Sequence, residues 1–268
     1  MQPRHALFAI ACATALIASP VSALTPLPAG HVSDAEALRL LREVYREKAT
    51  LKGEWPASAT ARSEDEIAPS SRTICADSGA THSGPRRIAV CTSFADAGHA
   101  HPGEVDLFLL LDPRSKQKQA RIGASERGVQ TGGWGTPGDV SFFEVGPGRA
   151  AFALDSAFTN MGWTVSSRSL YHAESDRFES LLTVGTGRDN TGVCDPDEDR
   201  ACRRKSVALD CKLVANRSGG GTFHPLDLVV TGERAGKPVK RTIAIPYRDG
   251  AYRPSAALLQ KEGCDEGV

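Results

Sequence analysis

Three short stretches hold the residues that could do chemistry. In GHAHPGEVD, residues 98–106, His99 and His101 stand two apart, with Asp96 before them and Glu104 and Asp106 after. Two imidazoles and a carboxylate are a common transition-metal set. On a strand, positions i and i+2 would face one side. A metal-dependent hydrolase using His99, His101 and Glu104 is the catalytic reading. Pro102-Gly103, a turn-forming pair between two apolar runs, favours the plainer alternative of a solvated turn. The second stretch, VCDPDEDRAC at 193–202, sets Asp195, Asp197 and Asp199 at alternate positions, as calcium-binding oxygens would be. An EF-hand loop also needs Gly at its sixth position and a bidentate Glu at its twelfth. Counted from Asp195 those positions are Arg200 and Ser206. Arg200, Arg203, Arg204 and Lys205 offer local neutralisation instead. The third stretch, TGGWGTPGDV at 131–140, places Trp134 among glycines. A phosphate-cradling loop would need a following helix and usually a Lys, and a strand-like run follows here. Trp134 is therefore read as a stacking or anchoring residue, or as a cover for a sheet end. Trp163 in NMGWTV poses the same choice.

Nucleophile signatures are missing. GASERG, 123–128, is one residue too long for G-x-S-x-G and reads as a polar hairpin rather than a strand-to-helix elbow. There is no C-x-x-C motif, and nothing in the pattern implies a cofactor.

The chain begins with a basic pair, Arg4-His5, an apolar run from Ala6 to Ala18, then Ser19-Pro20 and Val21-Ser22-Ala23. This is the three-part pattern of a secretory signal peptide cut after Ala23, and the run is too short for a membrane anchor of roughly 20 residues. Removing 23 of the 268 residues leaves 245, enough for a substantial core. Lys plus Arg and Asp plus Glu each number 32, so the formal charge is zero. That balance argues against nucleic-acid and electrostatic membrane partners. Without Cys12, six cysteines remain, and an even count in an exported chain reads as disulfides. Short local loops favour Cys75–Cys91 and Cys194–Cys202, leaving Cys211–Cys264.

One helix stands out, SDAEALRLLREVYREK at 33–48. Ser33 and Glu36 form a capping box, with a stripe of Ala37, Leu38, Leu41, Val44, Tyr45 and the Lys48 stem. Residues 50–72 read as a polar surface loop. Beyond them come about ten strand-like runs separated by turn residues, in three groups at 72–131, 138–185 and 203–254. The predicted fold is mainly β, with antiparallel meanders in a sandwich-like body, an irregular propeller being the alternative. The expected organisation is a signal peptide at 1–23, the helix and linker at 24–71, and a disulfide-stapled β domain at 72–268.

The order of G-W-G-x-P-G (133–138), G-x-G-R-A-A-F-A-L (146–154), F-T-N-M-G-W (158–163), D-N-T-G-V-C (189–194) and I-P-Y-R-D-G-A-Y (245–252) resembles a loosely defined group of exported proteobacterial β-rich proteins without an established activity. The resemblance implies a periplasmic location and no particular catalysis. With no catalytic motif and long polar loops on a stapled scaffold, the expected function is binding. The expected partner is another periplasmic or extracellular protein, met as an inhibitor or immunity partner would meet it. The competing expectations are the metal-dependent hydrolase and an envelope-glycan binder using Trp134 and Trp163.

Overall fold

The computed structural model describes residues 31–46, 48–58, 67–80, 84–112, 119–173, 176–193, 199–219 and 221–265. The expected signal peptide, Cys194, Asp195 and Asp197 lie outside them. Helix α1 spans Asp34–Tyr45. It begins as its sequence dictates: the Ser33 hydroxyl accepts the Glu36 amide at 3.3 Å, and the Glu36 carboxylate accepts the Ser33 amide at 3.2 Å. The Ser33 hydroxyl also donates to Glu36 Oε2 at 2.8 Å, and this bond before any other holds the Glu36 carboxyl below the usual range. The buried stripe is Ala37, Leu40, Leu41 and Tyr45. Lys48 falls outside it because the chain turns left-handed at Arg46, φ 54°, and ends the helix there.

Two antiparallel sheets follow. The first, in strand order, is β1 (Glu54–Pro56), β2 (Ser71–Asp77), β3 (Arg86–Ser93), β4 (Gly103–Leu111) and β5 (Arg121–Thr131). The second is one unbroken seven-stranded meander: β6 (Val140–Gly146), β7 (Arg149–Asn160), β8 (Trp163–His172), β9 (Glu179–Asp189), β10 (Val207–Ala215), β11 (Leu226–Arg234) and β12 (Lys237–Ile245). Helix α2 (Arg200–Arg203) lies between β9 and β10. The ribbon β13 (Tyr247–Arg248) and β14 (Ala251–Tyr252) leads to helix α3 (Ala256–Glu262). The mainly-β, sandwich-like reading of the sequence holds. The three strand groups become two sheets, because β9 runs on through Thr186-Gly187 to reach β10. Glu54–Pro56, expected to be loop, pairs with β2.

Three apolar clusters account for the layering. Helix α1 packs Leu40, Leu41 and Tyr45 against Ile88, Val90, Phe108 and Leu110 of β3 and β4. The alternate residues Ala89, Val105, Leu107 and Leu109 meet Phe152 and Leu154 of β7. Strand β4 is thus buried on both faces, which explains its continuous run VDLFLLL. The third cluster gathers Val145, Leu170, Val184, Leu209, Leu228 and Ile243 around Tyr252, Leu259 and Cys264 of the C-terminal segment.

Buried polar groups tie the layers together. Asp106, 6 % exposed, accepts the Tyr45 hydroxyl at 2.6 Å, the Gly128 amide at 2.8 Å and Arg127 Nε at 3.2 Å. The Arg127 and Gly128 donors reach it because β5 bulges there, opposite Asp106. GASERG is therefore the interior of a bulged strand, not a hairpin. Arg86 joins the helix start to the sheet, with Asp34 at 2.8 Å and Asp77 at 2.6 Å. Those carboxylates, Asp77 first, push its guanidinium pKa up.

Strands β9 and β10 share only three residue pairs, Asp189↔Ala208, Arg188↔Leu209 and Gly187↔Asp210. Past Gly187 they part. Cys264, disulfide-bonded to Cys211 of β10, lies against Gly185 of β9. A Cβ on Gly185 would stand 2.7 Å from the Cys264 carbonyl carbon, so only glycine admits the C-terminal segment there. The Gly185 amide donates to Asp265 Oδ1 at 2.5 Å. Cys75–Cys91 joins β2 to β3 at a bulge in their register. Cys202 is also disulfide-bonded.

Two predictions follow from this packing. Burial, seconded by the Asp106 charge, pushes the Tyr45 phenol far up, and burial does the same to Tyr252. Both folded pKa values exceed the unfolded value of roughly 10, so their contribution is whole below that pH and falls away above it. Thermal melts should drop from about pH 10 upward, and a Tyr45→Phe/Tyr252→Phe variant should flatten most of that limb. Opening Cys211–Cys264, across 53 residues, with paired Ala substitutions should cost about 4 kcal/mol, against about 3 for Cys75–Cys91 across 16, measured by denaturant unfolding.

Candidate functional site

Two loops that stand apart in sequence interlock at one end of the body. The β3–β4 loop, 94–102, and the β5–β6 connection, 132–139, exchange backbone bonds. The Trp134 amide donates to the His99 carbonyl at 3.2 Å, the Gly135 amide to the His101 carbonyl at 2.8 Å, and the Phe94 amide to the Gly135 carbonyl at 2.8 Å. The approach is close enough to require glycine. A Cβ on Gly103 would fall 2.1 Å from the Pro137 nitrogen, and one on Gly138 would fall 1.8 Å from the Asp155 carbonyl oxygen.

Gly133 and Thr136 bridge each other across a two-residue turn, with Trp134 and Gly135 at its corners. Both corners are left-handed, φ 55° and 68°. This is the φ pattern of a type I′ turn, whose corners favour Asn and Gly. An aromatic residue there is strained by roughly 1–2 kcal/mol. Trp134 is nevertheless 70 % exposed, so little burial offsets that cost.

His99 lies between two rings. It stacks on Phe158 of β7 at 5.3 Å and meets Trp134 at 5.5 Å. His101 turns edge-on to Phe94 at 5.1 Å. Both histidines sit in a loop, so the one-sided strand geometry does not arise. Glu104 is on β4, opposite Thr92 and Gln130. The structure thus gives His99, His101 and Glu104 different neighbours. Among the described residues no three His, Cys, Asp or Glu side chains gather as a metal site would need. Asp199 has a local role: its side chain accepts the Ala201 amide at 2.7 Å and caps α2. Trp163 opens β8 and carries the Arg188 guanidinium 5.4 Å from its ring.

Next to Trp134 is an open groove of about 820 Å³, bounded by the 132–139 loop on one side and β7–β10 on the other. Trp134, Asp139, Arg168, Thr186, Asp210 and Lys212 line it. Arg168 forks onto Asp155 through Nε and Nη2 at 2.7 and 2.6 Å. These bonds raise the guanidinium pKa. The Asp155 backbone holds the loop, its amide donating to the Asp139 carbonyl at 2.8 Å and its carbonyl accepting the Thr131 hydroxyl at 2.9 Å. Sequence reasoning passed over Asp155, Phe158 and Arg168. A signal was present: pairing outward from the Met161-Gly162 turn sets Asp155 opposite Arg168.

The Met161-Gly162 turn adds to the same end. Gly162 abuts Gly192-Val193, where a Cβ would stand 2.6 Å from the Val193 side chain. Met161 is 87 % exposed and Val193 59 %. Comparison with known proteins finds no matching family, no similar curated protein and no similar solved structure. The site therefore stands on its own geometry. Trp134→Gly should relieve the left-handed strain and stabilise the fold by about 1 kcal/mol, read as an upward shift of the denaturant midpoint.

Proposed function

We propose that this is an exported binding protein that docks a protein partner through the end carrying Trp134, Met161 and Val193. The observation that carries the reading is the Trp134 turn, where a large aromatic side chain is held in a costly backbone conformation and left in solvent. Such strain persists where surrounding structure imposes it, and strained positions cluster at binding and catalytic sites. Trp and Met are enriched in protein interfaces, and exposed apolar residues collected at one end suit docking. The disulfides fit an oxidising compartment, and with the N-terminal pattern they support a periplasmic or secreted location. An enzyme or toxin that this chain restrains is the partner class that suits a rigid, stapled scaffold.

Pull-down from periplasmic extract compares the unaltered chain with Trp134→Ala and Trp134→Gly. A partner retained by the unaltered chain and reduced about tenfold or more by both variants, while both remain folded and Trp134→Gly folds at least as stably, is the expected result. A partner captured equally by all three, or turnover of a substrate by the unaltered chain with no partner retained, sinks the reading.

A further inference from the structure

Strand β10 is bonded to β11 along its whole length, from Val207 to Ala215. On its other side the ladder to β9 ends at Asp210. In an antiparallel ladder alternate residues direct their N–H and C=O groups to opposite edges. Residues 211–215 therefore present alternate backbone donors and acceptors toward the fork, and no described strand pairs with them there. The C-terminal segment sits against one side of the fork, with Cys264 and Asp265 at Gly185. Cys211, Lys212 and Leu213 also form a wall of the groove that begins at Trp134.

Two outer edges of the sheets are guarded. Strand β1 is three residues long and ends in Pro56, and β12 carries Lys237, Pro238, Lys240 and Arg241. Short length, proline and lysine are the usual means of discouraging strand addition. The fork edge, 211–215, has no proline, and its single charge, Lys212, lines the groove.

We infer that the fork between β9 and β10 receives an extended peptide segment of the partner, added as a strand along 211–215, with an adjoining residue packed on Trp134. The inference rests on the reading that the Trp134 end docks a protein. An extended polypeptide supplies donors and acceptors at the two-residue repeat of a strand, roughly 6.6 Å. A sugar chain has no such backbone repeat. The open edge specifies extended backbone, and Trp134 specifies an apolar neighbour.

The probe is a set of short peptides selected from a display library on the immobilised full chain. Binding should weaken about tenfold or more when alternate backbone nitrogens of the peptide are methylated, and little at the positions between. Alternate amides within 211–215 should gain hydrogen-exchange protection on binding, and Trp134→Ala should weaken the same peptides. Tolerance of methylation at every position, unchanged exchange in 211–215, or no peptide selected above a scrambled library each overturns the fork. If Trp134→Ala still abolishes capture of a partner in those cases, the docking reading survives and the fork alone fails.

Discussion

The contact between the 132–139 loop and the backbone of Asp155 governs the candidate site. Gly138 leaves no room there for even a methyl group, and the Asp155 amide and carbonyl both hold the loop. With that edge fixed to β7, the Trp134 turn has to reach over toward the β3–β4 loop. The Phe94, His99 and His101 carbonyls or amides fix it from the other side. Trp134 is left-handed because both ends of its turn are set by these contacts, and neither can yield without breaking backbone hydrogen bonds. The groove, the row His99–Phe158 and the presentation of the indole all follow from this constraint.

A second constraint fixes the first sheet. Strand β4 runs apolar on both faces from Val105 to Leu111 except at Asp106, whose carboxylate gathers Tyr45, Arg127 and Gly128. A charge so buried is tolerable only with several donors. Its donors come from the helix and from the bulged neighbour strand, so they set the seating of α1 and the register of β5 together. Arg86 does the same at the other end of the helix. The N-terminal helix is therefore held by polar bonds at both ends and by apolar contact between them.

Much of the fold was legible because its signals are local. The capping box at Ser33 and Glu36 and the strand-like runs separated by turn residues depend on residues close in sequence. The limits of local reading show at three places. GASERG looks like a turn by composition, but its Gly128 serves a bulge demanded by Asp106, a residue on another strand. The glycines of 185–187 look like the end of a strand, yet Gly185 makes room for Cys264 and β9 continues past it. The helix Ala256–Glu262 is made of strong helix formers behind a Ser255 cap, but at seven residues it is too short to show a helical period. At the site, Trp134 could be picked out from composition alone. Its left-handed backbone, its coupling to His99 and the Asp155–Arg168 pair beneath it arise from contacts between loops far apart in the chain. The metal reading of His99, His101 and Glu104 assumed a regular strand, and Pro102-Gly103 starts that strand too late for the histidines to share it.

The seven-stranded sheet is mechanically two ribbons sharing a short seam. Three residue pairs join β6–β9 to β10–β12, whereas the neighbouring ladders are much longer. Alongside the seam runs a covalent strap, Cys211–Cys264, that anchors the tail of the chain where the ribbons separate. Load applied across the sheet concentrates at the seam, and the strap limits how far the C-terminal ribbon can lift. Both ribbons contribute side chains to one apolar cluster, so what backbone pairing omits past the seam is supplied by the shared core and the strap.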